Sequence, residues 1–448
     1  MIQVNDGRTL RSADNGHYLE FDDGAPFFYL ADTAWELFHR LHLEQAQTYL
    51  MNRAEKGFTV IQAVALAELD GLNTPNPYGH CALHNNDPMH PNERYFRYID
   101  AVIGVAEKLG MFMGLLPTWG DKWKHRASGE PGIFTVDNAA YYGEFLGERY
   151  RDKPVIWILG GDQNIENSGE AEIIRSLALA LKKGDGGNHL LTYHPRGPGQ
   201  SSDFFHTEPW LDFNMNQSSH GARDHDNGIF AAHDYRLAPA KPTVDGEPRY
   251  ECIPVGFYNS TTVNSVRFDA YDVRQAAYWS LLAGACGHTY GNNNIWQMWQ
   301  PGRSPRIGAD VPWMQALDHP GAFQMGYARR LFESRPYNLL APDEDILVDA
   351  LEQGGGKVRA ATAEDGSFSF IYSPRGLPFT VNQGRILSPQ VQASWFDPRY
   401  GTAYYLHTSD NRGYQTYVPP TSGRGSDWVL VLDDVTKGYA DPGQVVLE

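Results

Sequence analysis

The stretch VIWILGGDQN at positions 155–164 decides the fold that we expect for this chain. Its five consecutive apolar residues are typical of a strand buried on both faces, and the two glycines and polar residues that follow end the strand. An amphipathic stretch at Asn138–Tyr150 precedes this run, and another at Glu170–Lys183 follows it. Helix, buried strand and helix in succession form the repeating unit of a parallel α/β sheet or barrel.

The same unit recurs along the first three quarters of the chain. Eight apolar runs lie at Phe27–Ala31, Phe58–Val64, Met111–Pro117, Val155–Leu159, His189–Tyr193, Asp212–Asn216, Pro242–Asp245 and His288–Gly291. Helices are predicted at Glu44–Lys56, Tyr95–Leu109, Asn138–Tyr150, Glu170–Lys183 and Tyr271–Ala285. Eight such runs predict a (β/α)8 TIM barrel, after a polar hairpin with its turn at Asp14–Gly16. A doubly wound open sheet with fewer strands is the less economical alternative.

From about residue 340 the pattern changes to short period-two strands separated by Gly and Pro turns. The segments are KVRAATA (357–363), SFSFIYS (367–373), VQASWFD (391–397), TAYYLHT (402–408) and DWVLVLD (427–433). They predict a small antiparallel β-sandwich. We therefore place the barrel at residues 1–338 and the sandwich at residues 339–448.

Composition excludes several partners. The 37 Lys and Arg against 54 Asp and Glu give a net charge of −17, the reverse of a nucleic-acid-binding balance. The chain lacks a run of eighteen apolar residues, so we expect no membrane partner. Without a basic stretch followed by an apolar run at the N-terminus we expect a cytoplasmic protein, or a periplasmic or secreted one if an export signal has been removed. The sequence carries no indication of the oligomeric state.

Two carboxylates stand out where predicted strands end. Asp162 follows strand four and Glu247 follows strand seven, and these strands face each other across the mouth of an eight-stranded barrel. Catalytic groups of such barrels lie at this end. Two acids on opposite sides of one bond are what glycoside hydrolysis requires. The alternative for either acid is a helix cap or a salt bridge, for instance to Arg249.

Aromatic and polar residues near the same strand ends are candidates for substrate binding. Tryptophan rings stack on the C–H faces of sugars, and Asn, Gln and His bind sugar hydroxyls. Several of these rings could equally pack loops onto the barrel. The candidates are Asp32, Trp35, Trp119, His194, Gln217, His220, Arg249, Tyr290, Asn292 and Trp296.

A metal-dependent hydrolase is the competing class of enzyme. It would place His-x-His at the end of strand one, where this chain has ADTAW at positions 31–35. The nucleotide-binding glycine motifs do not follow any predicted strand, and the GxSxG motif of serine hydrolases does not occur. We therefore predict neither a metal nor a cofactor.

Several motifs together resemble a known family. They are PFFYLADTAWELFHRL (26–41), WILGGDQN (157–164), YHP (193–195), VDGEPRYE (244–251) and HTYGNNNIWQM (288–298). Followed by a β-domain, they resemble the apiosidase-like glycoside hydrolases, glycoside hydrolase family 140. The resemblance implies a catalytic barrel with a C-terminal collagen-binding-type β-domain, removal of apiose from a pectin side chain, and catalytic carboxylates at Asp162 and Glu247.

From these observations we expect a retaining exo-glycosidase that acts on a pectic oligosaccharide from plant cell walls. Asp162 would serve as general acid/base and Glu247 as nucleophile. Two alternatives remain at this stage. One is a hydrolase of another furanoside or of a uronate-containing glycan, and the other is a non-catalytic carbohydrate-binding protein.

Overall fold

A computed structural model describes residues 7–124, 132–218, 220–258, 266–348 and 354–444. The described chain opens with three short antiparallel strands, β1 (Leu10–Ser12), β2 (Leu19–Phe21) and β3 (Pro26–Phe27). The turn predicted at Asp14–Gly16 joins the first two, which confirms the N-terminal hairpin. Apolar side chains of this sheet, including Leu19 and Phe21, belong to the same buried cluster as residues inside the barrel. The hairpin therefore closes the N-terminal end of the barrel.

The second sheet has nine strands and forms the barrel. They are β4 (Tyr29–Thr33), β5 (Val60–Leu66), β6 (Phe112–Thr118), β7 (Val155–Leu159), β8 (Leu191–Tyr193), β9 (Gly199–Gln200), β10 (Asn214–Gln217), β11 (Thr243–Asp245) and β12 (Gly287–Tyr290). The spatial order is β8-β7-β6-β5-β4-β12-β11-β10-β9, and every pair is parallel except β9 with β10.

The two ends of the parallel series also lie side by side. The backbone N–H of Asp212, just before β10, donates to the carbonyl of Leu191 in β8 at 2.9 Å. The hydroxyl of Thr192 donates to the carbonyl of Phe213 at 2.7 Å. The eight parallel strands therefore curl round into a barrel, which confirms the predicted fold class.

Helices cover the outside of the barrel. They are α1 (Leu37–Arg40), α2 (Leu43–Glu55), α3 (Glu93–Lys108), α4 (Val136–Tyr150), α5 (Ser168–Asp185), α6 (Ser202–Phe205), α7 (Gly228–Asp234), α8 (Ala270–Leu282), α9 (Trp313–Ala316) and α10 (Pro320–Glu333). The side chains of Asn92 and Asn167 cap α3 and α5 by accepting backbone N–H bonds in the first turn. All five predicted helices are present, with ends within three residues of those expected.

Side chains alternate between two apolar layers along each barrel strand. In β4, Tyr29 and Ala31 belong to the cluster inside the barrel, whereas Leu30 belongs to the layer between strands and helices. Both layers are buried, so the polar/apolar alternation that reveals a half-exposed strand is missing from these sequences. The sequence therefore does not show which way a polar residue in a barrel strand points.

The C-terminal region forms an antiparallel sandwich. Its strands are β13 (Leu340–Pro342), β14 (Arg359–Ala363), β15 (Phe368–Ser373), β16 (Phe379–Asn382), β17 (Gln390–Asp397), β18 (Thr402–Asp410), β19 (Tyr414–Tyr417) and β20 (Trp428–Asp434). Six of them form a sheet in the order β13-β14-β15-β20-β17-β18, and β16 pairs with β19 to cover its outer face. All five predicted strands are present.

The inner face of this sheet packs on α8 and α10. Tyr278 of α8 stacks on Tyr372 at 4.8 Å between ring centroids. Arg274 of α8 makes a buried two-point ion pair with Asp427, at 2.6 and 3.0 Å. A continuous apolar layer and a buried ion pair fit a bracing role for the sandwich. The boundary between 338 and 339 stays a prediction; α10 ends at Glu333 and the antiparallel sheet begins at Leu340.

Candidate active site

The turn after β7 presents Asp162 at the mouth of the barrel. Gly160, Gly161 and Asp162 all have positive φ, at 91°, 64° and 61°. A Cβ on Gly160 would lie 2.2 Å from the carbonyl oxygen of His194. Side chains are therefore excluded at the first position and strained at the second. The glycine pair allows the strand to end in a tight turn that directs the acid over the barrel.

Neighbouring loops hold this turn in place. The indole N–H of Trp123 donates to the carbonyl of Gly160 at 2.8 Å, and the backbone N–H of Gly120 donates to the carbonyl of Gly161 at 2.9 Å. The hydroxyl of Tyr193 donates to the carbonyl of Gln163. Two contacts from the loop after β6 and one from the end of β8 fix the backbone on both sides of Asp162, so its side chain is presented from a rigid support.

Glu247 lies past the end of β11 and is 7% exposed. Nε2 of His220 lies 3.1 Å from its Oε1, within hydrogen-bond geometry. Nε2 of His194 lies 3.1 Å from its Oε2, although neither of these two atoms makes a well-aligned hydrogen bond. Gly246, just before the acid, packs so closely on Met215 that a Cβ would lie 2.5 Å from its sulfur. The imidazoles of His194 and His220, which follow neighbouring strands, therefore both contact the buried carboxylate of Glu247.

The two carboxyl groups have opposite pKa shifts. Burial, and then the charge of Glu247, raise the pKa of Asp162 to about 7. Burial alone would raise the pKa of Glu247 as well, but the contacts with His194 and His220 more than offset it and lower the pKa to about 2. Near neutral pH Glu247 is therefore ionised, and Asp162 is close to its pKa and partly protonated.

Aromatic rings form one wall beside these acids. Trp35 lies 5.3 Å from Trp119 and 5.6 Å from His194, measured between ring centroids. The backbone carbonyl of Trp296 accepts from the N–H of Glu36, the residue after Trp35, at 3.1 Å. A side-chain hydrogen bond from Gln217 to Asp162 lowers the pKa of that acid and partly opposes the effect of burial. Of the ten predicted substrate-binding residues, six therefore gather near the two acids: Trp35, Trp119, His194, Gln217, His220 and Trp296.

The other four have contacts that direct their side chains away from the two acids, and their contact with substrate stays a prediction. Asp32 is 0% exposed and accepts hydrogen bonds from Tyr49 at 2.5 Å and Arg53 at 2.6 Å, both in α2. It lies one position from inward-facing residues of β4, so alternation turns it toward the helices. Its contacts make it part of a buried ion pair between strand and helix.

The remaining three residues also have their partners away from the two acids. Arg249 is 1% exposed and donates to Gln275 of α8 at 2.7 Å and to the carbonyl of His225. The hydroxyl of Tyr290 donates to Glu251 at 2.5 Å. The amide of Asn292 is fully buried and contacts Tyr290 and His319. All three support the packing of loops and helices on the barrel.

Glu68, which follows β5 at the mouth, is a further acid that was not among the predicted site residues. Burial, followed by the charges of Glu36 and Asp162, raises its pKa to about 8, and Glu247 adds to the effect. Within the described residues its side chain makes no hydrogen bond or ion pair. The rule that led to Asp162, an acid just after a barrel strand, applies equally to VALAELD at positions 64–70 and would have found it.

Tyr250 was also missed. Burial, and then the charge of Glu247, raise the pKa of its hydroxyl well above the usual range, and it lies 3.3 Å from the hydroxyl of Thr33. Its position three residues after Glu247 in the motif VDGEPRYE is the only trace of this proximity in the sequence.

A model of the apiosidase-like catalytic domain matches residues 13–338, and a model described as "putative collagen-binding domain of a collagenase" matches residues 341–433. A solved structure named glycoside hydrolase is 32% identical, covers 97% of this chain and 98% of its own, and has a TM-score of 0.89. None of the curated proteins matches this chain.

Two solved structures from Bacteroides vulgatus ATCC 8482 are also similar. One, a glycoside hydrolase of family 5, is 29% identical with a TM-score of 0.89 and covers 98% of this chain and 96% of its own. The other, a glycoside hydrolase at 15% identity and a TM-score of 0.67, covers 96% and 82% and shows likeness of fold alone.

The barrel, the acids at its mouth and these similarities define a glycoside hydrolase. More particularly, the chain belongs to the apiosidase-like family and carries the collagen-binding-like domain that the sequence predicts. Assignment to the numbered family 140 stays a prediction. In the described residues, none of the helices is both long and apolar enough to cross a bilayer.

Proposed function

We propose that the chain hydrolyses a glycosidic bond with retention of anomeric configuration, with Asp162 as general acid/base and Glu247 as nucleophile. The observation that supports these roles best is the opposite pKa shift of the two carboxyl groups at one mouth. A general acid must still hold its proton near the working pH, whereas a nucleophile must be ionised. Their separation in pKa, from about 2 to about 7, satisfies both requirements at mildly acidic pH.

The proposed reaction has two steps. Glu247 attacks the anomeric carbon, the bond to the leaving oxygen breaks, and Asp162 gives that oxygen its proton. Asp162, now a carboxylate, then takes a proton from water, whose oxygen attacks the same carbon and releases Glu247. The two imidazoles 3.1 Å from Glu247 hold its orientation and stabilise its charge before attack.

We infer that the substrate is a pectic oligosaccharide and that the enzyme removes a terminal sugar such as apiose. Membership of the apiosidase-like family supports the sugar. The tryptophan wall of Trp35, Trp119 and Trp296 suits the apolar faces of a sugar ring. The long connection at residues 67–92, between β5 and α3, supports a mouth that is closed on one side. Such a mouth favours binding of the end of a glycan chain over binding of its middle.

A substrate panel tests this proposal. The purified protein is incubated with aryl glycosides, including an apioside, and with pectic oligosaccharides. We expect wild-type turnover on at least one of them and a fall of at least about 10⁴-fold in Glu247→Gln. Glu251→Gln is the matched control, because the charge change is the same but the side chain contacts Tyr290 and the backbone of Gly321 outside the mouth.

The role of each acid is tested separately. Asp162→Asn should slow poor leaving groups far more than an activated aryl glycoside, and added azide should restore its turnover by attacking the glycosyl-enzyme. Proton NMR of the first product should show the anomer of the substrate. An inverted first product, or activity in Glu247→Gln equal to that of the control, would refute the retaining mechanism on these residues.

A further inference from the structure

Glu68 is a carboxyl group at the barrel mouth that the proposed mechanism does not use. It lies just past the end of β5, and the backbone is fixed on both sides of it. Before it, the carbonyl of Leu66 accepts from the N–H of Trp119 at 3.1 Å. After it, the N–H of Leu69 donates to the side chain of Glu36 at 3.0 Å. The side chain of Glu68 is therefore presented from a rigid segment.

The same two hydrogen bonds place Glu68 beside the tryptophan wall. Trp119 makes the first of them, and Glu36, which makes the second, directly follows Trp35. The rings of Trp35 and Trp119 lie 5.3 Å apart, and the ring of His194 lies 5.6 Å from that of Trp35. Glu68 therefore lies at the edge of the aromatic surface on which we expect a sugar ring to stack.

The charges around Glu68 are negative. Burial raises its pKa first, followed by the charges of four acids, which are Glu36, Asp162, Asp121 and Glu247. Basic groups of the neighbouring loops bind other acids, because Nδ1 of His39 lies 2.6 Å from Glu36 and Nζ of Lys122 lies 2.6 Å from Asp121. The pKa of Glu68 is about 8 as a result, so this group holds its proton at the mildly acidic pH of the proposed reaction.

A protonated carboxyl group is a hydrogen-bond donor, and Glu68 has no acceptor among the described residues. Across the mouth, Gln217 is 5% exposed and its Oε1 has no donor in the described part of the chain. Glu68 follows the second parallel strand of the barrel and Gln217 ends the sixth, so the two lie on opposite sides. Buried polar groups are nearly always hydrogen-bonded, and a sugar hydroxyl both donates and accepts. An unpaired donor and an unpaired acceptor at one mouth therefore indicate a ligand with hydroxyl groups.

We propose that Glu68 is a specificity-determining residue whose neutral carboxyl group donates a hydrogen bond to a hydroxyl of the sugar stacked on the tryptophan wall. This inference rests on the proposed function for the position of that sugar between Asp162 and Glu247, but the contact is measurable as binding, without turnover. A neutral donor adds a directed hydrogen bond without a third charge beside the two reacting carboxyl groups. A sugar that lacks this hydroxyl leaves the donor unpaired and binds more weakly.

Calorimetric titration of the full chain carrying Glu247→Gln measures this contact. The probes are the aryl glycosides of the substrate panel, at pH 6. Glu68→Gln keeps a neutral donor of the same length, whereas Glu68→Met keeps the length and removes the donor. We expect Glu68→Met to weaken binding at least about fivefold, and Glu68→Gln to stay within about twofold of the background protein. Glu55→Met is the control, at an exposed glutamate where α2 ends, before β5 begins at the opposite end of the barrel.

Monodeoxy analogues of the glycoside that binds most tightly identify the hydroxyl group. For one analogue, the background protein should bind as weakly as Glu68→Met binds the parent glycoside, and Glu68→Met should weaken that binding no further. A distorted mouth would instead weaken binding of every analogue.

The pH dependence of binding supplies a second readout. From pH 6 to pH 9 the background protein should lose more affinity than Glu68→Gln, because only the carboxyl group ionises. Asp162 titrates in both proteins, so the difference between them reports Glu68. This comparison decides the proposal by itself if a thermal melt shows that Glu68→Met is unfolded.

Each other outcome overturns the proposal. Equal losses in Glu68→Met and Glu68→Gln would refute a neutral donor. An unchanged affinity in Glu68→Met, an equal loss in Glu55→Met, a full effect of Glu68→Met on every deoxy analogue, or no binding of any glycoside would remove the contact. Binding that depends on Glu68 in a protein that hydrolyses no glycoside would leave the contact standing and refute only the proposed function.

Discussion

Replacing His220 with Phe should move the acidic limb of the pH–rate profile toward neutral pH. Nε2 of His220 is 3.1 Å from Glu247, and its ring packs 4.7 Å from that of Tyr250. Phenylalanine keeps the ring contact and removes the donor. A hydrogen bond to a charged group contributes about 1.5 to 3 kcal/mol, and one pKa unit corresponds to about 1.36 kcal/mol, so the pKa of Glu247 should rise by about 1 to 2 units.

The alkaline limb should stay in place. Activity on the proposed mechanism requires Glu247 to be ionised and Asp162 to be protonated, so the rate falls below the first pKa and above the second. These values are about 2 and about 7 in the native protein. After the substitution Glu247 is still ionised at neutral pH, so its charge continues to raise the pKa of Asp162, and only the acidic limb shifts.

The assay is kcat/KM from about pH 3 to pH 9 on one glycoside that the native protein hydrolyses. His189→Phe is the control, because Nδ1 of His189 lies 3.0 Å from Asp185 in another buried pair of a histidine and a carboxylate, away from the mouth. Its profile should keep the native limbs even if its stability falls. An acidic limb that is the same in His220→Phe as in the native protein, or that moves equally in the control, would refute the assignment of that limb to Glu247.

Three further predictions concern residues that hold the barrel, the turn before Asp162 and the sandwich in place. Asp32→Asn leaves a buried arginine without its countercharge and should lower the free energy of unfolding by about 3 to 5 kcal/mol in urea denaturation; a loss below about 1 kcal/mol would contradict the buried ion pair. Gly161→Ala, at a φ of 64° with a Cβ 2.7 Å from backbone, should lower kcat at least tenfold, whereas Gly186→Ala, at a φ of 75° in open space, should not. Asp427→Asn breaks the pair with Arg274 and should make the junction between barrel and sandwich more sensitive to limited proteolysis, and unchanged cleavage would count against the bracing role.

The sequence by itself determined the order and kind of the secondary structure. Buried parallel strands are short apolar runs, amphipathic helices have a 3.6-residue period, and each can be identified within a few neighbouring residues. For this reason the eight strand positions, five helices and five strands of the sandwich agree with the structure. The position of Asp162 and Glu247 at the barrel mouth followed from the same local patterns, because parallel strands all end at one face.

Only the tertiary structure decided which polar residues turn toward that mouth. Both faces of a barrel strand are buried, so the sequence around Asp32 or Tyr290 does not distinguish the interior from the helix layer. The structure assigns these two to ion-pair and hydroxyl contacts with the helix side.

The histidine contacts of Glu247 could likewise not be predicted from the sequence. Its two histidine contacts come from positions 27 and 53 residues earlier in the chain, after two other strands. Likewise Arg303 donates to the backbone carbonyl of Arg40, although the two residues are more than 250 positions apart in the sequence. Local patterns determine where a strand ends, but pKa values and charge clusters depend on distances across the closed barrel, and these distances are determined only when the chain is folded.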